Sequence, residues 1–405
     1  MMTLDNKEPE PRQDDETRKL LKRFGLQWNE FTNNECIETT GWTDYHVPQL
    51  LPVLLDGLRC SRRSNFSTCP NAVKSLSLEA CSLGDDGIQR LCSDGAFSSL
   101  ASLVYLNLGG NDIQNSGAKA LANSLYRLTM LQELKLAWNR IGDAGGVSIV
   151  QTLPQTLRLL DMSGCSVQNH RRDPQQRRDH EHREDETDCT LGPKTCQALA
   201  QILPQMTHLY RIVLDRQPLL PEGVVTLANA LPECPSLREL SLQNIPVDAQ
   251  GATALSQVLI RCHLVVLHLN VNAIDSQSAR HLAKSVSRCP SLRDVRLTQS
   301  RMHIIGLKSF EQTAAVHVGL ERLDVYGHGA RDRSGRERGG PIVRQIERWM
   351  RLNRRTQRFL ADDTNHHLLP ELWSHVARRG NTSRLFQTIQ RLPVSQQITG
   401  DGARR

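Results

Sequence analysis

Rings and long greasy runs are what this sequence has least of. Phe, Trp and Tyr make up 4% of its 405 residues, although hydrophobic residues reach 39%. A core so poor in rings must be aliphatic, which suits a chain of stacked repeats better than an enzyme pocket walled by large side chains. No apolar stretch approaches the ~20 residues that cross a bilayer. Mean hydropathy is −0.43, and the opening residues MMTLDNKEPEPRQDDETRKLL are charged where a secretory leader is apolar. These features predict a soluble, cytoplasmic chain that neither spans nor binds a membrane.

Chemistry-bearing motifs are missing as well. The sequence contains no G-x-x-x-x-G-K-[ST] phosphate loop, no G-x-S-x-G elbow, no H-E-x-x-H and no pair of cysteines at metal-ligand spacing. The reading is therefore non-enzymatic, with no catalytic residue, no metal, no cofactor and no small-molecule substrate. Eleven cysteines are scattered along the chain. Several fall at equivalent positions of a repeat, which predicts reduced, buried thiols rather than a disulfide framework. The triplets at Asn65 and Asn381 match a glycosylation signal that means nothing without a secretory route.

Charge is unevenly placed. From His328 to Arg405 there are 16 Arg and no Lys against 7 Asp plus Glu, a balance of +9. The total is +7, so the first 327 residues sum to −2. The basic tail is a separate electrostatic object, and it permits a nuclear address.

What is present is a repeat. An anchor residue recurs at Leu78, Leu108, Leu136, Met162, Leu214, Leu242, Leu269, Leu297 and Val325, at steps of 26 to 30 residues with one step of 52. Two residues before each anchor stands another aliphatic residue, from Leu76 to Leu323, and three before that a third, from Val73 to Leu320. Each unit thus opens L-x-x-L-x-L, the period-two alternation of a short strand with one buried face. A further apolar column, a frequent glycine (Gly87, Gly117, Gly145, Gly223, Gly251, Gly306) and a column from Leu91 to Phe310 follow at helical spacing. One repeat is strand, turn and helix. None can bury its own apolar face, so neighbours must stack.

The runs LVYLNLGGNDIQNSGAKALANSL and LQELKLAWNRIGDAGGVSIVQTL resemble the ribonuclease-inhibitor subclass of leucine-rich repeats, which also occurs in NOD-like receptors, here without a nucleotide-binding module. The resemblance covers roughly residues 70 to 328. It implies an α/β solenoid, a horseshoe with parallel strands on the concave face and helices on the convex face. It also implies an asparagine after each strand, present as Asn111, Asn139 and Asn272 but replaced by Cys81 and Cys165 and by Gln217, Ile245 and Ser300 elsewhere. The replacements predict irregular turns after Leu214, Leu242 and Leu297, because that amide satisfies backbone groups at the turn.

The organisation expected is a disordered tail (1–20), an N-terminal helical cap (21–70) and the repeats (71–328) with a charged insertion (168–188). A basic linker (329–340), a helical C-terminal module (341–393) and a short tail (394–405) follow. His46 to Leu58 reads as the capping helix. In the insertion His170, His180 and His182, with Cys189 beyond it, lack a zinc-type pair, so the segment reads as a solvated charged loop. Pro341 opens a helix with Ile342, Ile346, Trp349, Met350 and Asn353 on one face. The layout of this module is similar to one that follows repeats in diatom and other microalgal proteins.

Between the core leucines lie residues that face the other way and pave the concave surface. Tyr105, Asn107, Glu133, Lys135, Trp138, Asp161, Arg211, Asp215, Glu239, His268, Arg296 and Tyr326 are the candidate partner-binding residues there. Such a face, polar, mixed in sign and punctuated by aromatics, predicts a scaffold for another protein. Two rivals are a Ran-type GTPase-activating protein, with Arg140 as the loop arginine, and a ubiquitin-ligase substrate adaptor. Nucleic acid is the less favoured partner: only the Arg-rich tail offers a site, with a steep salt dependence, and no stacking-aromatic pattern favours RNA.

Overall fold

A computed structural model describes residues 36–54, 73–164, 190–325 and 340–361, apart from 42, 44, 45, 49, 53, 94–96, 98, 99, 301 and 318. The chain divides into two compact units, Met1–Ile202 and Leu203–Arg405. The insertion and most of the C-terminal module lie outside the described residues, as does the 1–20 tail.

In the first unit β1 (Cys36–Thr40), β2 (Ser75–Glu79), β3 (Tyr105–Asn107), β4 (Glu133–Lys135) and β5 (Leu159–Asp161) lie side by side, every pair parallel. Helices α1 (Gly84–Ser93), α2 (Asn115–Leu125), α3 (Asp143–Gln151) and α4 (Pro193–Ile202) pack in succession. The register places like on like: Leu76 beside Leu106, Leu106 beside Leu134, Leu134 beside Leu160, all four fully buried. Each such leucine contributes about 2 kcal/mol by leaving water.

The second unit repeats the scheme with β6 (Arg211–Val213), β7 (Glu239–Ser241), β8 (Val266–His268), β9 (Asp294–Arg296) and β10 (Arg322–Asp324), again parallel in that order. Its helices are α5 (Pro221–Ala230), α6 (Ala249–Val258), α7 (Ser276–Arg288), α8 (Ile304–Val316) and α9 (Gly340–Ala361). Short 3-10 turns at Leu203–Gln205, Leu231–Glu233 and Leu259–Arg261 lead from helix to strand.

Three-residue strands leave little backbone to pair, and the chain compensates on either side of them. The carbonyl just before β2, β3, β4, β6, β7, β8 and β9 accepts two N–H donors from the following repeat. Lys74 O takes Val104 N (2.7 Å) and Tyr105 N (3.0 Å), and Arg293 O takes Glu321 N (2.8 Å) and Arg322 N (2.9 Å). After β10 no further strand follows among the described residues. Arg354 Nη1 of α9 donates to Glu321 O at 2.7 Å instead, while Asn353 Nδ2 donates to His317 O and Leu320 O. With Ile346, Met350, Asn353 and Thr356 buried, α9 packs on α8 and β10 as a cap. The expected face is thus largely the buried one, although Ile342 and Trp349 are only half-buried.

Two expectations change. The segment 21–70 contains a strand as well as helix: β1 extends the sheet by one member before the first recognisable repeat. Cys36-Ile-Glu-Thr-Thr40 spells no leucine motif, and Ile37 is its one described side chain that is buried, so no leucine periodicity announces it. The predicted helix does follow, with Leu50, Leu51 and Leu54 buried.

The turns after Leu214, Leu242 and Leu297 are regular. In the eight described turns that follow an anchor the residue two past it has a positive φ: Ala80, Gly110, Trp138, Gly164, Arg216, Asn244, Val271 and Gln299; Gly41, in the same place after β1, has one too. The reason is that the asparagine serves the preceding repeat. Asn139 Oδ1 accepts from Asn111 N (3.0 Å) and Ile113 N (3.1 Å), and its Nδ2 donates to Leu108 O and Leu136 O. The backbone bonds between repeats are the same with the asparagine or without it: Gly110 N to Ala137 O, Arg216 N to Gln243 O and Asn244 N to Asn270 O are each 2.8 Å. Asn272 still serves Ile245 N and Leu242 O.

The first turn of a helix is likewise capped from the repeat before. Asp143 accepts from Gly192 N, Lys194 N and Thr195 N, and so joins the residues after the insertion to α3. Gly117 leaves space for such an approach, since a Cβ there would lie 2.4 Å from Asp85 Oδ1.

Replacing Asn139 by Leu strands two donors and two acceptors and is expected to cost about 3 kcal/mol, whereas Asn272→Leu strands fewer and should cost about half that. Urea denaturation midpoints check the ordering. Equal losses would show that the backbone ladder, not the amide, holds the turn.

Candidate functional site

Because the leucines of each strand point toward the helices, the side chains between them stand on the opposite, open face of the sheet. The two units carry this face separately.

In the first unit Lys135 Nζ lies 3.3 Å from Tyr105 OH and 4.9 Å from the centre of its ring, a hydrogen bond and a cation–π contact across adjacent strands. Glu133 and Asp161 are half-buried beside them. Asp161 Oδ1 accepts from Ser163 N at 3.0 Å. Asn107 is 6% exposed, its Nδ2 donating to Glu79 Oε2 and its Oδ1 accepting from Gly109 N. Its amide is thus used at both ends, and it holds Glu79 and the Gly109 turn in place.

Trp138 stands where its neighbours in the same column are Gly110 and Gly164. Its φ is 61°, a left-handed conformation that costs a bulky residue roughly 1–2 kcal/mol. The ring leans over Gly164, whose missing Cβ would fall 2.8 Å from Trp138 Cδ2. At 39% exposure Trp138 is a large aromatic presented on the rim where a glycine would be at ease.

In the second unit the polar face is a network. Asp215 accepts from Ser241 Oγ (2.6 Å), Gln243 N (2.8 Å) and Gln243 Nε2 (2.9 Å), and Asn270 links Gln243 to Thr298. Arg211 pairs with Glu239 across strands at 3.4 Å. Arg296 grips Asp294 with two donors, at 2.8 and 3.1 Å. Burial by itself would raise the Asp294 pKa, but His268 and Arg296 on its carboxylate outweigh it and lower the pKa to about 2. His268 Nε2, at 3.9 Å, is an ion-pair neighbour rather than a hydrogen-bond donor, so the Arg296 fork is the stronger hold. Tyr326 lies outside the described residues.

Sequence reasoning thus located the columns but not the partnerships. Asp294, Gln243 and Gly164 support Arg296, Asp215 and Trp138 respectively, and only their column positions could have singled them out.

No thiol here is primed as a nucleophile among the described residues. Cys81, Cys92, Cys196, Cys234, Cys262 and Cys289 are free and buried. Burial pushes Cys92 up to about 11 and Cys196 and Cys262 up to about 12, away from the reactive thiolate. Among the described residues no group of His, Cys, Asp or Glu is placed to hold a metal ion, and no helix is long and apolar enough to cross a membrane.

Parallel three-residue strands, a left-handed turn after each, and an asparagine ladder between repeats are the features of a leucine-rich-repeat solenoid, and the chain is similar to the ribonuclease-inhibitor-like subclass. Comparison agrees. The family model "Leucine Rich repeat" matches residues 99–122 and 127–150. Ribonuclease inhibitor of Sus scrofa is 29% identical over 153 residues, 38% of this chain and 29% of its own length. Ribonuclease inhibitor of Mus musculus is 32% identical over 102 residues, 25% of this chain and 22% of its own. The chain therefore spans less than a third of either relative. The leucine-rich repeat-containing protein LegL7 of Legionella pneumophila aligns over 78% of this chain and 89% of its own, with 16% identity and a TM-score of 0.44.

The depressed Asp294 pKa carries a pH signature. Its ionised form is stabilised by folding at every pH above about 4, and this contribution is lost as pH falls through about 2. Asp294→Asn is expected to cost on the order of 1–2 kcal/mol at pH 7. The difference in melting temperature from wild type should shrink below about pH 4. A difference that persists undiminished into acid would mean Asp294 acts by shape and not by charge.

Thiol labelling offers a second check. Iodoacetamide at pH 8 should leave these six cysteines unmodified in the native protein and label them on denaturation. Fast native labelling of Cys196 or Cys262 would contradict their burial.

Proposed function

We propose that the open strand face of the first unit binds another protein, with Trp138 as the anchor and Tyr105, Lys135, Glu133 and Asp161 around it. The observation that carries this reading is the conformation of Trp138. A left-handed turn position that glycine fills in the adjoining repeats holds the largest side chain available, strained and 39% exposed. Stability alone favours glycine there. An aromatic ring fixed by contact with Gly164 is what a protein interface uses as a hot spot: broad, amphipathic and already ordered.

The surroundings suit such an anchor. Tyr105 and Lys135 hold one another in place before any partner arrives, so less freedom is lost on binding. Glu79, Glu133 and Asp161 outnumber Lys135, which favours a partner whose docking patch is basic and whose association slows with salt. The names of the two curated relatives describe proteins that inhibit another protein, which supports the same class of action, non-enzymatic binding, for this chain.

Trp138→Gly separates binding from folding. It removes the ring while relaxing the turn, so stability should stay within about 1 kcal/mol of wild type. Loss of a hot-spot tryptophan should weaken the partner by roughly 30-fold or more. The test is affinity purification from the source cell with wild type, Trp138→Gly and, on the helix side, Tyr126→Ser. A protein retained by wild type and Tyr126→Ser but lost with Trp138→Gly is the expected result. Equal retention by all three would remove this face from consideration.

A further inference from the structure

Helix α9 is held by one face and charged on the other. Ile346, Met350, Asn353 and Thr356 are buried against the end of the second unit, and Asn353 and Arg354 are committed to backbone carbonyls there. The outward side presents Arg344, Arg348, Arg351 and Arg355, all exposed. They follow one another at steps of 4, 3 and 4 residues, which places them in one row about 16 Å long. Glu347 is the single acidic residue of the helix. Among the described residues none of the four arginines has an ion-pair partner.

Like charges at this spacing repel, and a cap needs only the buried face. The stripe is therefore surplus to folding. It is made of arginine alone, the side chain whose planar fork grips phosphate with two donors. Nothing apolar interrupts it, so it lacks the aromatic and aliphatic anchors of a protein interface. The apolar face that a membrane-lying helix would need is already buried against α8 and β10.

We propose that this stripe of α9 docks the phosphate backbone of a nucleic acid, without reading its sequence. The site is independent of the strand face of the first unit. Its contacts are charge-assisted hydrogen bonds from guanidinium groups to phosphate oxygens, and binding is driven by the release of counterions from the polyanion.

The test is fluorescence anisotropy with the full chain and a labelled mixed-sequence DNA of about 20 nucleotides, as a duplex and as a single strand, over a salt series. Four phosphate contacts predict a log–log slope of about −3.6 on the duplex and about −2.8 on the single strand. Raising salt from 50 to 200 mM then weakens duplex binding roughly 150-fold. Replacing Arg344, Arg348, Arg351 and Arg355 by Gln should bring the slope near zero. A matched variant on α7 and α8, with Arg280, Lys284, Arg288 and Lys308 replaced by Gln, removes the same charge and should leave affinity within about threefold. Replacing the four stripe arginines by Lys keeps the slope while weakening binding severalfold, which guards against misfolding of the Gln variant. The proposal fails if wild type does not bind at 50 mM salt, if the stripe variant keeps the wild-type slope, or if the matched variant loses as much. It fails too if polyglutamate competes as well as DNA per charge.

Discussion

A three-residue strand flanked by leucines cannot close over its own apolar side, and that constraint shapes everything else in this chain. Leu106 and Leu134 are buried only because a neighbouring repeat lies on each side in identical register. The backbone obeys the same rule, since the carbonyl before β2, β3, β4, β6, β7, β8 and β9 waits for donors that belong to the next repeat. Stability is therefore a property of interfaces between repeats, each supplying the partner with what it lacks. A repeat that lost its neighbour would expose leucines and orphaned carbonyls together.

The ends of such a stack are its weak points. At the last strand α9 answers both needs, bringing Ile346 and Met350 to the leucines and Arg354 and Asn353 to the carbonyls. Within the stack the same borrowing extends to helix caps. Asp143 bonds to the first turn of α4 and so ties the residues that follow the insertion to α3. The asparagine amides run the other way along the chain, each reaching back to the turn before its own.

This division of labour leaves the open strand face free of structural duty at some positions and not at others. Asn107 and Asp215 sit in the exposed column of the pattern yet spend their hydrogen bonds on neighbours. Trp138 does the reverse, occupying a turn position at a conformational cost while its ring remains outside. Trp138 shares its positive φ with Ala80, Arg216, Asn244, Val271 and Gln299, and differs from them in the large ring it exposes.

The sequence by itself determined the architecture, because a leucine column with steps of 26 to 30 residues has only one way to be buried. It also determined which side chains face away from the core, since alternation along a strand is a local property. The first strand escaped notice because no leucine column runs through Cys36–Thr40, and the regularity of the asparagine-less turns escaped because their bonds come from another repeat. The tertiary structure alone decided which outward residues are struts, which arginine of α9 closes the sheet and which remain in a row on the surface. Those roles depend on what lies one repeat away in space, some 28 residues distant in the chain, and no local pattern encodes a partner at that distance.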